Sequence, residues 1–343
     1  MNPLRIMLTV FAVMFAASPR AEIYELPPEG YDVVGAVATV LAREEDTLID
    51  IARRNGLGYH DIVHANPDVN VWVPGEGTEV VLPTRFVLPP GPRRGIVLNL
   101  AEYRLYYYPK PVEGEPAYVM TYPISIGRMD WETPLGSTSV ISKVTNPSWY
   151  PPQSVRDEHA ADGRPLPRIV PPGPDNPLGK YAMRLGLPGY LIHSTNRPAG
   201  VGMRVTHGCI RMFPEDIEYL FPNVDLNTTV RIINAPVKIG WFGDELVMEV
   251  HPVLEAIVSE GNEELVAADI DVDTGDGVTD ENESPVPAKD PLTYVTEQFI
   301  AVTGTRAGAL DWDEVETLID RSDGIPAAAG TRIKNAAASA ASQ

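Results

Sequence analysis

The spacing of apolar residues divides this chain into segments of different period. Between Asp46 and Pro67 they fall at helical intervals: Leu48, Ile51 and Ala52 at i, i+3 and i+4, then Tyr59, Ile62 and Val63 on one face. Asp46-Thr47 offers an N-cap, Gly56 after Asn55 a stop, and Asn66-Pro67 ends the second helix. β-Rich runs flank the pair, Ala38-Thr39-Val40 before and Val80-Val81-Leu82 after, so residues 37–84 read as a small α+β unit, strand-helix-helix-strand. Pro89-Pro90-Gly91-Pro92 follows as a hinge. From Gly95 the text turns to strands: Ile96–Leu100, Tyr103–Tyr108, Tyr118–Ile126 and Thr138–Val144. Their aromatic and β-branched content, with turn residues between them, predicts a mainly β domain over 93–235, an antiparallel sheet sandwich. Nine prolines between Pro147 and Pro177 bar a regular helix or central strand there, and an ordered loop of that length predicts a lid over a cleft. Pro214 then opens a helix with the apolar stripe Ile217, Leu220 and Phe221.

The two ends of the chain differ from this middle. Met1–Ala21 has Arg5, an apolar run from Ile6 to Ala17, then small residues, the pattern of a secretory signal peptide. Its apolar run is roughly 18 Å long as a helix, too short for a bilayer core of about 30 Å. The expectation is an exported, periplasmic protein. Residues 251–289 read as an acidic linker, and 290–343 as an extension that is partly helical (Pro291–Val302, Asp313–Arg321) and ends in a disordered, Ala-rich tail. From His251 onward 19 acidic residues face 5 basic ones, which accounts for −14 of the net charge of −20 and argues against a nucleic-acid partner. At 343 residues, two or three domains can each bury a core. Two metal-like motifs fail on inspection. His60-Asp61-Ile62-Val63-His64 has zinc-helix spacing but Asp at the base position and no evident third ligand, so surface histidines are expected. Asp271–Gly277 departs from the calcium-loop template at its turn and lacks the bidentate Glu.

Composition matters most through cysteine. There is one, Cys209, within Thr206-His207-Gly208-Cys209-Ile210-Arg211, and a second histidine lies upstream in Ile192-His193-Ser194. A lone cysteine cannot close an intramolecular disulfide. Two nearby imidazoles, the side chains best able to take a thiol proton near neutral pH, favour a nucleophile over an inert buried thiol.

This run resembles the active-site signature of the L,D-transpeptidase catalytic domain, the YkuD-type family. Asn99-Leu100, Ile126-Gly127 and Thr133-Pro134-Leu135-Gly136 are similar to further landmarks of the same family. The 37–84 unit resembles the LysM module through Glu45-Asp46-Thr47-Leu48, Ile51-Ala52, Ile62-Val63, Asn66-Pro67 and Leu82-Pro83. The resemblance implies a YkuD-like fold and Cys209 as nucleophile. It also implies His193 as base, at the end of the β-rich run from Gly189. Ser194 would orient the imidazole through its hydroxyl or carbonyl. His207 shares a face with Cys209 if the segment is extended, and is the second choice for the base. Gly208 would let substrate approach, with the N–H groups of Gly208 and Cys209 as oxyanion donors. Arg211 would hold a substrate carboxylate or pair with Glu215 or Asp216. Trp149 and Tyr190 are further substrate-binding candidates.

The implied partner is peptidoglycan, both its tetrapeptide stems and its glycan strands. The acyl donor would lose D-Ala and the thioester would pass to an amine, forming a 3–3 cross-link or attaching an outer-membrane protein or lipoprotein. Water as acceptor would make the enzyme an L,D-carboxypeptidase. No cofactor and no metal are called for. Two readings of other classes stand beside this one: a metal-dependent peptidoglycan amidase using His193, His207 and Cys209 as ligands, and an inactive wall-binding scaffold.

Overall fold

Among the described residues, strands from Gly95 onward join Glu22–Glu25 in a mainly β, curled sheet of nine strands. In spatial order these are Glu22–Glu25, Tyr118–Pro123, Arg104–Tyr108, Gly95–Asn99, Thr229–Ile233, Gly136–Thr145, Tyr181–Leu185, Leu191–His193 and Ile210–Arg211. The computed structural model describes residues 22–128, 133–254, 289–304 and 306–333. The signal-like Met1–Ala21, the Asp271–Gly277 run with most of the acidic linker, and the tail beyond Ile333 lie outside the described residues. No helix among the described residues is long and apolar enough to cross a membrane.

The sheet is not purely antiparallel. Gly95–Asn99 runs parallel to Thr229–Ile233, and Leu191–His193 runs parallel to Ile210–Arg211. Side chains alternate across it as period two demands. On one face Ile96, Leu98, Leu105, Tyr107, Met120 and Tyr122 meet Ile217 and Leu220 of the helix Pro214–Asn223. On the other, Val97, Tyr106, Tyr108 and Val119 share a core with Leu48, Ile51, Ile62, Val80 and Leu82.

That second core changes the picture of the 37–84 unit. Its helices Leu48–Arg54 and Tyr59–His64 and its paired strands Ala38–Leu41 and Glu79–Leu82 follow the sequence pattern. Thr47 caps the first helix in a reciprocal box with Asp50, and Gly56 takes the left-handed conformation (φ +63°) after it. Yet the unit does not hang on a hinge. Arg104, fully buried in the sheet, pairs with Asp61, and Arg53 makes a two-pronged bridge to Glu215 at 2.6 and 2.8 Å. His60 and His64, expected at the surface, are half-buried. With His251 they line a cavity of about 270 Å³ between this unit, the sheet and the C-terminal part.

The prolines of 147–177 cluster at its flanks and leave Gln153–Arg164 free of them, which is why a helix, Gln153–Ala161, forms where none was expected. The Ala-rich end also departs from expectation. Ala327–Arg332 is a strand, paired to Glu245–Val250 of the hairpin Val237–Phe242/Glu245–Val250 and to Gly308–Leu310. Small residues permit it: a Cβ at Gly330 would lie 2.2 Å from the Ala309 carbonyl oxygen. Helices Pro291–Thr303 and Trp312–Arg321 cover this sheet through Val295, Val315 and Leu318.

One buried polar cluster joins the parts. The Lys238 ammonium lies between the carboxylates of Glu102 and Glu249, 2.8 Å from the latter, all three fully buried. Glu249 also accepts from Val87 N at 2.6 Å and meets His251 at 2.7 Å, while Glu102 accepts from Asn99 and Tyr106. Lys238→Met would leave two facing carboxylates without a cation. We expect a loss of about 3–5 kcal/mol near pH 7 by urea unfolding. The deficit should shrink at pH 5, where the variant's carboxyl groups, raised by burial, take up a proton. An equal deficit at both pH values would count against the cluster's ionised state.

Candidate active site

The site forms where the short parallel pair Leu191–His193 and Ile210–Arg211 meets the loop from residue 198 to 209. Ile192 lies opposite Ile210 and His193 opposite Arg211. Both isoleucines are buried in the core, so by alternation His193, Arg211 and, two residues back, Cys209 share the other face. Backbone bonds hold this register: Ser125 N to Arg211 O at 2.8 Å, Arg211 N to Ser125 O at 3.1 Å, and Met212 N to His193 O at 2.9 Å.

His193 is buried, and its Nδ1 lies 2.6 Å from the Ser194 carbonyl oxygen. A carbonyl only accepts, so Nδ1 carries the hydrogen in the neutral ring and Nε2 keeps its lone pair. Ser194 therefore orients the ring by its backbone. Burial, with the Arg211 charge adding to it, pushes His193 down to about 3. The half-buried Cys209 thiol donates to the Gly189 carbonyl at 3.4 Å. Burial pushes it up to about 11, against a backbone bond from Leu191 and the Arg211 charge. Burial therefore favours the neutral form of each, thiol and imidazole.

The turn carrying Cys209 is tied at each residue. Thr206 Oγ1 donates to Cys209 O at 2.6 Å, and Thr133 Oγ1 donates to Gly208 O at 2.9 Å. Gly208 has φ +92°, and a Cβ there would sit 2.9 Å from the Tyr190 ring, so Tyr190 walls the turn. The same dihedral turns the chain, so His207 does not share a face with Cys209. Its Nε2 meets Glu158 Oε2 at 2.9 Å, on the helix Gln153–Ala161. Glu158 also takes Arg128 at 2.9 and 3.2 Å, and these donors hold its carboxyl down at about 2. The sequence reading did not single out Glu158; its only signal was a charge inside the one proline-free stretch of the lid.

Arg211 does not pair with its expected neighbours. Glu215 is taken by Arg53, and Asp216 is buried and pushed up to about 8, neutral at pH 7. Arg211 Nε is buried with no hydrogen-bond partner, and Arg197 adds a second positive charge nearby. Among the described residues, the face beside Cys209 therefore carries positive charge. Trp149 exchanges backbone bonds with Val170 at 2.9 and 2.8 Å and closes the base of the lid; it makes no hydrogen bond to the Cys209 turn. Among the described residues, the group with converging metal-type ligands is Glu102, Glu249 and His251, where the Lys238 ammonium already lies between the carboxylates.

A thiol and an oriented imidazole thus lie on one β edge. Residues 93–232 match the L,D-transpeptidase catalytic domain, YkuD. The chain is 37% identical to the probable L,D-transpeptidase ErfK/SrfK of Salmonella typhimurium, over 92% of this chain and 94% of that one. It is 42% identical to the probable L,D-transpeptidase YcfS of Escherichia coli, over 67% and 72%. A solved L,D-transpeptidase from Mycobacterium tuberculosis H37Rv matches 46% of this chain and 63% of its own length, with 20% identity and a TM-score of 0.29. The chain belongs to the L,D-transpeptidase family.

The depressed His193 has a consequence for stability. Between its ordinary value of 6.5 and about 3, the unfolded chain takes up a proton that the folded chain refuses. Stability should therefore fall as pH falls through that window, by on the order of a few kcal/mol. His193→Gln should flatten this limb when urea midpoints are measured from pH 7 to 4.

Proposed function

We propose that this enzyme cleaves the bond before the terminal D-Ala of a peptidoglycan tetrapeptide stem and transfers the acyl group from Cys209 to an amine. The observation that carries this reading is the shared face of Cys209 and His193, with the imidazole oriented so that Nε2 is free to accept. In the first half, the Cys209 proton passes to His193 Nε2 as Sγ bonds to the carbonyl carbon of the third stem residue. The N–H groups of Gly208 and Cys209 are the donors we assign to the oxyanion. Collapse expels D-Ala, whose amine takes the proton from His193. In the second half, an amine attacks the thioester, gives its proton to His193, and the thiolate leaves and is reprotonated. A 3–3 cross-link results when the amine belongs to another stem; an attached outer-membrane protein or lipoprotein results when it belongs to one.

Arg211, with Arg197 beside it, suits a carboxylate of the donor stem, because its buried Nε has no hydrogen-bond partner among the described residues and a planar guanidinium can hold a carboxylate in a fork. We assign the 37–84 unit to glycan binding, as a LysM-like module, and the protein to the periplasm on the strength of its signal-like N-terminus. Because the unit shares its core with the sheet, surface substitution is the suitable probe. Trp72 is 66% exposed on it; Trp72→Ala should weaken sedimentation with purified sacculi and leave turnover of a soluble tetrapeptide unchanged.

The test of the chemistry is intact mass after incubation with a carbapenem and, separately, with disaccharide-tetrapeptide. Wild type should gain both adducts, and Cys209→Ala neither. His193→Ala should lower D-Ala release by roughly 10²–10⁴-fold, the range for loss of a general base, and His207→Gln by less. D-Ala release by the Cys209→Ala variant would overturn the assignment.

A further inference from the structure

We infer that Glu158 is a positioning residue of this active site, holding the lid helix against His207 and, through His207, fixing the turn that carries Cys209. The lid is a closed loop with a firm base. Beyond the Trp149–Val170 exchange, the buried Asn176 side chain donates to Pro147 O at 2.8 Å and lies 3.2 Å from Val170 O and Pro171 O. Its helix, Gln153–Ala161, buries one side chain, Val155. Where that helix meets the catalytic motif, Glu158 makes the contact, and it does so at two points of the same segment. One oxygen faces His207 Nε2; both face Arg128, whose own N–H bonds Thr206 O at 2.8 Å.

Residues 206 and 207 are thus both referred to one carboxylate on the lid. That carboxylate is held ionised, so it can only accept, and His207 Nε2 must carry a hydrogen. The contact fixes the tautomer of His207 as well as its place. The strength is also suited to a catch rather than a weld. Glu158, Arg128 and His207 are 40%, 32% and 27% exposed, and pairs so open to water contribute little individually, while the forked geometry keeps them specific.

The catalytic arm of this inference rests on the transferase reading; a second arm does not. The full-length wild type is compared with Glu158→Gln, Glu158→Ala, His207→Gln and the double variant Glu158→Ala/His207→Gln. Because Glu158 acts through His207, each alanine or glutamine single should lower kcat/KM for D-Ala release, Glu158→Ala by about 10- to 100-fold. The double variant should be no worse than the poorer single, since both remove one linkage. Independently of any stem peptide, alkylation of Cys209 by iodoacetamide should be faster in Glu158→Ala and His207→Gln than in wild type, and in the double no faster than in the faster single. Thermal midpoints should stay put, because the contact is exposed. Losses that multiply in the double variant, or alkylation rates equal to wild type, would overturn the positioning role. Wild type that releases no D-Ala, with the alkylation pattern intact, would tell against the transferase reading and leave Glu158's role standing.

Discussion

A single buried ammonium, that of Lys238, holds the architecture together. It lies on the hairpin that follows the catalytic sheet, opposite Glu249 in register, and reaches back to Glu102 at the turn between the sheet strands Gly95–Asn99 and Arg104–Tyr108. Two carboxylates in a dry interior would repel; the ammonium between them keeps Glu249 ionised, while burial pushes Glu102 up. All four carboxylate oxygens are engaged: Glu249 also holds Val87 N at the exit of the small unit, and Glu102 also holds Asn99, whose side chain fastens Ala235 in both directions. A buried charge cluster is seldom the cheapest way to stabilise a core. What it achieves here is register, because only one mutual placement of unit, sheet and hairpin satisfies all of its partners.

The same logic runs from the small unit to Cys209. Tyr59 N and His60 N donate to the carbonyls of Val201 and Gly202 at 3.0 and 3.3 Å. Gly58 and Gly202 pack so closely that a Cβ on either would overlap the other's backbone. The loop they grip continues through Arg204–Thr206 into His207, Gly208 and Cys209. The helix Tyr59–His64 is thus part of the scaffold of the catalytic turn.

Much of this was legible in the residues. The helices of 37–84 follow from capping chemistry and apolar spacing, and the strands from Gly95 to Val144 from their composition. Cys209 and His193 stood out through residue type and the Thr206–Arg211 run. What was hidden depends on distance along the chain. Glu158 meets His207 across 49 residues and Lys238 meets Glu102 across 136; no local period announces such pairs. The expected face-sharing of His207 and Cys209 failed because Gly208 adopts a positive φ that period-two reasoning ignores. Arg211 lost its expected ion pair because Arg53, more than 150 residues earlier, had claimed Glu215. Ala327–Arg332 reads as a featureless tail because its strand pairing needs small residues rather than β-branched ones.

That last strand bears on how the protein is made. Glu245–Val250 has Val237–Phe242 on one side and Ala327–Arg332 on the other, so this core closes only with a strand far along the chain from its hairpin. At the opposite end, Glu22–Glu25 pairs across nearly a hundred residues with Tyr118–Pro123. Pairings between such remote segments raise contact order and slow folding. A chain emerging from its N-terminus must therefore carry the apolar inner face of the 237–250 hairpin uncovered until Ala327–Arg332 arrives. During that interval the hairpin's free edge is the place where aggregation would start.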